Sequence, residues 1–126
     1  MGVRFLKIAV VYLVVGALLG FVMGITQKFA LAPVHAHVLL LGWASLALAG
    51  LVYHFYPAAA STRLARLHFW LHNLGLPLFM VGLGAMLTGN ESLFLLVLVG
   101  ASAVIIGLVS FAANVLLNIR SASPTA

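Results

Sequence analysis

Four long stretches of this chain are almost free of charge, and that feature constrains its fold more than any other. They run from about Phe5 to Gln27, Pro33 to Tyr56, Arg66 to Thr88 and Ser92 to Ile119. Each is long enough to cross a hydrocarbon core of about 30 Å, which takes about 20 apolar residues in helical form. A helix satisfies its own backbone hydrogen bonds, as a lipid environment demands. Composition agrees, with 65% of residues hydrophobic and 6% charged, where a soluble domain has roughly a quarter charged. The expectation is an all-α integral membrane protein: one antiparallel four-helix domain over residues 1–120, with no soluble part. The polar tail "SASPTA", residues 121–126, reads as disordered. The basic start (Arg4, Lys7) before an apolar run resembles a signal peptide. The run is too long for one and no small-residue cleavage site follows, so it reads as a retained helix.

The connections "KFALA", "AAASTRLA" and "GNE" are short, which makes successive helices antiparallel neighbours. Pro33 suits a first helical position and Pro57 falls just past an end. In a four-crossing arrangement Arg4, Lys7, Arg63, Arg66 and Arg120 share one side, and Lys28 and Glu91 share the other. Five cations against one place both termini and the middle loop in the cytoplasm. The formal charge of +5 is then a topology signal and not a nucleic-acid footprint. With no cysteine, disulfides, thiolate ligands and c-type haem attachment are excluded. Gly16, Gly20 and Gly24 form a stripe on the first helix that lets another backbone approach closely. Pro77 predicts a kink in the third.

The chemistry-bearing residues are five histidines. His35 and His37 open the second helix near its outer end. Residues two apart differ by about 200° around a helix axis, so the two rings face nearly opposite ways. They cannot clamp one ion, for which i,i+4 is the helical spacing, but they suit two sites flanking one helix. Imidazole is an axial ligand of haem iron, and polar side chains within a membrane tend to be functional. His54 lies 17 residues beyond His37, about 25 Å along the helix, and belongs to a different place. His68 and His72 share a face of the third helix, and with His54 at a similar depth they form a possible Zn²⁺ or Cu²⁺ set. Asn73, Asn114 and Asn118 read as interhelical hydrogen-bonding residues. Trp43, Trp70, Tyr12 and Tyr53 carry no assigned role.

The segments "HAHVLLLGWASLALAGLVYHFYP" (35–57) and "RLARLHFWLHNLGLPLF" (63–79) resemble the tenth and eleventh helices of subunit I in the haem–copper oxidase superfamily. The shared elements are His35-Ala36-His37, Gly42, His54-Phe55-Tyr56-Pro57 and Leu67-His68-Phe69. The resemblance implies that His35 and His37 are ligands of haem iron on opposite sides of one helix. It also implies a bacterial-type cytoplasmic membrane. Where the family often has a His-Asp pair, this chain has Gln27-Lys28, and Lys28 is placed to pair with a haem propionate. The family's copper-site pattern is absent and the spans lack Asp and Glu, so a complete proton-pumping oxygen reductase is not expected. Any catalysis would be haem-dependent oxidoreduction.

The family's large subunit has three arcs of four helices, and this chain supplies one arc. A homotrimer rebuilds the ring, with His35 of one copy facing His37 of the next through heterologous contacts. The implied cofactor is one haem b per subunit, with ligands from two subunits, serving electron transfer or binding of O₂ or NO. A dimer is the rival assembly. Two further functions stand beside it: a copper- or zinc-binding membrane protein using the five histidines, and an accessory subunit of a larger oxidase. The electron donor is not indicated.

Overall fold

The computed structural model describes residues 1–120; the tail at 121–126 lies outside the described residues. The chain is all-helical. Four helices are long and apolar enough to cross a membrane, which marks the chain as a multi-pass membrane protein. They are α1 (Gly2–Thr26), α2 (Ala32–Phe55), α3 (Arg63–Leu87) and α4 (Phe94–Asn118). These bounds lie close to those expected from the apolar runs.

Local chemistry explains the ends. Gln27 adopts a left-handed φ of 53° after α1, while Thr26 Oγ1 donates back to the Val22 carbonyl at 2.7 Å. Pro33 sits in the first turn of α2, where a missing N–H costs nothing. Tyr56 breaks the helix ahead of Pro57, which starts the short Pro57–Ala60 turn. Thr62 caps α3 by accepting from the Ala65 N–H at 3.0 Å. Asn90 accepts from the Ser92 N–H at 3.0 Å and starts the 3₁₀ turn Glu91–Leu93 that leads into α4. α3 continues through Pro77 to Leu87.

Helix α2 departs from the expected continuous α-helix. Ala32–His37 is α-helical, Val38–Ala44 winds as a π-helix, and Ser45–Phe55 returns to α. The Leu40 carbonyl accepts from both the Ser45 N–H and Ser45 Oγ (2.8 Å), five residues on. The wide turn lies where Gly42 backs onto Tyr12 of α1: a Cβ there would stand 2.5 Å from Tyr12 Cγ. π segments of this kind are commonly found beside functional residues.

Packing joins α1 to α2 and α3 to α4 through small residues. Gly2 meets Gly50 and the backbone of His54, whereas Gly20 meets the ring of His35. The partner of the α1 glycine stripe is therefore the opening of α2, for Gly16 and Gly20 but not for Gly24, which has open space beside it. A second seam, between α3 and α4, has Gly75 against the Gly100 carbonyl. Between the two pairs lie two apolar clusters. Phe5, Ala9, Leu46, Ala49, Tyr53 and Ala65 fill one, and Val34, Val38, Leu76, Met80 and Val104 fill the other. Large apolar side chains such as Phe21, Leu48, Leu98 and Leu116 cover the outside, an exterior that fits lipid contact.

Candidate functional site

The structure sends the rings of His35 and His37 to different helices, as the 200° relation requires. His35 lies against α1, with Nδ1 2.8 Å from the Gly16 carbonyl oxygen. Gly20 makes room for that ring, since a Cβ at this position would stand 2.6 Å from His35 Cε1. His37 turns toward α3, where its ring meets Phe79 edge-on at 5.2 Å between centroids. Its Nδ1 lies 2.7 Å from the Pro33 carbonyl oxygen, one turn back on α2.

A carbonyl oxygen only accepts, so in each neutral ring the proton sits on Nδ1 and Nε2 carries a bare lone pair. Neither Nε2 has a hydrogen-bond partner among the described residues. Among the described residues the one buried side-chain nitrogen or oxygen without a partner is Asn73 Oδ1. Both Nε2 atoms therefore open onto the surface of the molecule. Histidines that bind metals characteristically donate their second N–H to a carbonyl or carboxylate, which fixes tautomer and ring orientation. His35 and His37 have that arrangement, each with its Nδ1 on a backbone carbonyl.

Lys28 is exposed and stands on the rim of a groove of about 300 Å³ that is also lined by Leu19, Met23, Leu31 and Thr88. A larger groove of about 530 Å³ beside Trp43, Leu6 and Leu51 is apolar and has no histidine in its lining.

The three remaining histidines separate. His68 and His72 are buried between the helix pairs, at 1% and 0% exposure. His54 is exposed at the end of α2 beside Phe55. Its neighbour Tyr53 occupies the inward face, and one step along a helix turns the next side chain by about 100°. Similar depth therefore does not bring His54 to the other two. Among the described residues no group of three or more His, Asp or Glu side chains is placed to hold a metal ion.

Tyr53, for which the sequence indicates no role, joins the buried pair instead. Its hydroxyl lies 3.2 Å from His68 Nδ1, His68 Nε2 lies 3.3 Å from His72 Nδ1, and His72 Nε2 lies 2.9 Å from the Leu41 carbonyl oxygen. The carbonyl at the end fixes every proton. His72 Nε2–H donates to it, so His72 Nδ1 accepts from His68 Nε2–H, and His68 Nδ1 accepts from the Tyr53 O–H. The His68 ring lies between Phe5 and Phe111, with centroids at 4.9 and 5.0 Å. Beyond Tyr53, Asn114 accepts from Thr62 Oγ1 at 3.0 Å and from Asn118 Nδ2 at 2.8 Å, and donates to the Ala59 carbonyl at 2.9 Å. Asn114 thus bridges to another element as expected, whereas Asn118 bonds only to Asn114 on its own helix and Asn73 donates within its own helix to the Phe69 carbonyl at 2.7 Å.

Comparison with known proteins finds no family model, no characterised protein and no solved structure that matches this chain.

Proposed function

We propose that this protein binds haem b within the membrane and serves electron transfer, with His35 and His37 as axial ligands supplied by neighbouring copies. The observation that carries this is the tautomer imposed on both rings: each gives its Nδ1 proton to a backbone carbonyl and keeps Nε2 free at the surface. Two such nitrogens are the donor set of a six-coordinate, low-spin haem iron. The residues fit the group. Its chemistry when bound is reversible one-electron exchange at iron.

The chain's own contribution is orientation. The Gly16 carbonyl and the slot at Gly20 hold the His35 ring, and the Pro33 carbonyl and the Phe79 edge hold His37. Their divergence leaves a single copy unable to supply both ligands from this pair, which favours a closed ring of copies. A homotrimer is the assembly proposed, by analogy with the three arcs of the oxidase subunit that residues 35–79 resemble. Lys28 is assigned to a propionate. The proposed topology is antiparallel with both termini cytoplasmic, supported by the charge partition of the loops.

The test is an absorption spectrum of the purified, redox-cycled protein with a mass in detergent. Sharp reduced bands are expected, with one haem per chain and a trimer mass. His35→Ala and His37→Ala each abolish the bands, whereas His54→Ala does not. Unchanged haem content in His37→Ala would overturn the assignment. A colourless preparation carrying stoichiometric copper or zinc would favour the metal-binding alternative. CO binding to the reduced protein would indicate an open iron position and a gas-binding role.

A further inference from the structure

We propose that Tyr53, His68 and His72 form a proton-loading chain: one proton enters through the Tyr53 hydroxyl and is held between the two buried imidazoles. The inference comes from the direction and the ending of the hydrogen bonds. Each link alternates a donor and an acceptor, so a proton moves along the chain by successive short hops. A proton arriving at the Tyr53 oxygen lets the phenolic proton pass to His68 Nδ1. The Nε2 proton of His68 then passes to His72 Nδ1. Tyr53 ends neutral, the imidazole pair has gained one proton and one positive charge, and His72 Nε2–H still donates to Leu41.

The last link makes this a store and not a conduit. An amide carbonyl is a very weak base, so the proton has no onward site at Leu41. The entrance is the Tyr53 hydroxyl, the end of the file opposite the Leu41 carbonyl.

The surroundings suit a transient cation. The groups facing the pair are Phe5 from α1, Tyr53 and the Leu41 carbonyl from α2, and Phe111 with the Gly107 backbone from α4. Two phenyl rings flank His68 at cation–π range, and the carbonyl dipole meets His72. The other charged side chains of these elements, Arg4, Lys7, Arg63, Arg66 and Arg120, are exposed, as is His54. The chain's one acid, Glu91, is in the loop before α4. Among the described residues no span carries a carboxylate, and the Tyr53 phenol with the two imidazoles forms a continuous hydrogen-bonded file in the interior. Leu41 is one helical turn beyond His37, so the store ends on the helix that carries the proposed haem ligands. The compensating charge is then an electron delivered to that site by a one-electron donor, and to this extent the proposal rests on the haem reading.

Two measurements test it. The first uses ¹⁵N-histidine NMR of the purified protein, which reads the tautomer of each ring. Both His68 and His72 are expected as Nε2–H tautomers at high pH; an Nδ1–H form of either ring would overturn the chain's direction, whether or not haem is bound. The second measures proton uptake with a pH dye when the haem-loaded protein is reduced by dithionite. The wild type is expected to take up close to one proton per electron, with a potential that falls by about 59 mV per tenfold drop in proton concentration. The double variant His68→Gln/His72→Gln leaves no basic nitrogen in the file and should abolish the uptake while keeping the haem spectrum. Tyr53→Phe should slow uptake at least tenfold without changing its extent. No uptake in the wild type, or full uptake in the double variant, would overturn the store. Absent haem bands would overturn the haem reading alone.

Discussion

The two histidine pairs of this protein put the same side chain to opposite uses. His35 and His37 spend one nitrogen each on a backbone carbonyl and leave the other at the surface. His68 and His72 spend all four nitrogens, in a buried file that begins at Tyr53 and ends at Leu41. Spacing along the helix decides much of this. Two residues apart, the rings diverge by about 200° and meet different neighbours; four apart, they stack along one face and meet each other. A pair that diverges is available to something outside the chain, and a pair that converges is occupied with itself.

The comparison is broken most severely by removing one member of the buried file. His72→Ala leaves the Leu41 carbonyl without its side-chain donor, the His68 N–H unpaired and a void behind. It is expected to cost about 2–4 kcal/mol, from unsatisfied polar groups and a partly collapsed cavity, read as a lowered unfolding midpoint in detergent. Gly20→Ala should come next, at about 1–3 kcal/mol of overpacking, because its Cβ would meet the His35 ring. On the haem proposal, haem binding should fall as well, while Gly24→Ala, with nothing nearby, serves as the neutral control. Tyr53→Phe removes one hydrogen bond and keeps the ring packing, for about 0.5–1.5 kcal/mol. His54→Ala, on an exposed side chain, should stay within about 0.5 kcal/mol of the parent. A His54→Ala loss as large as that of His72→Ala would erase the distinction between the exposed and buried positions.

How much of this was legible in the sequence follows from what each feature depends on. The four spans and their ends depend on local apolar length and on Pro33, Pro57 and Thr62, so they could be read directly. The divergence of His35 from His37 depends only on the angular step of a helix. The partnership of Tyr53 with His68 depends on how α2 meets α3, and no spacing within one helix encodes it. Grouping His54 with His68 and His72 relied on depth in the membrane and ignored azimuth, which is what separates them. The π segment escaped for a related reason: its residues, Val38 to Ala44, are apolar on every side, so a change in winding leaves no trace in their pattern. The seat offered to Tyr12 by Gly42 becomes visible only once α1 is in place.

The widened winding of Val38–Ala44 also fixes an angular phase between the two halves of α2. A π insertion absorbs about one extra residue, worth roughly 100° of rotation. Were the same residues tightened to plain α-helix, His35 and His37 would swing away from Gly16 and Phe79 while Tyr53 stayed with His68. A version of the chain shortened by a single residue in that stretch, wound regularly throughout, would instead present both outer imidazoles to their present neighbours. The tolerance of this helix to insertion and deletion is therefore set by parity of phase between its ends, and not by its length.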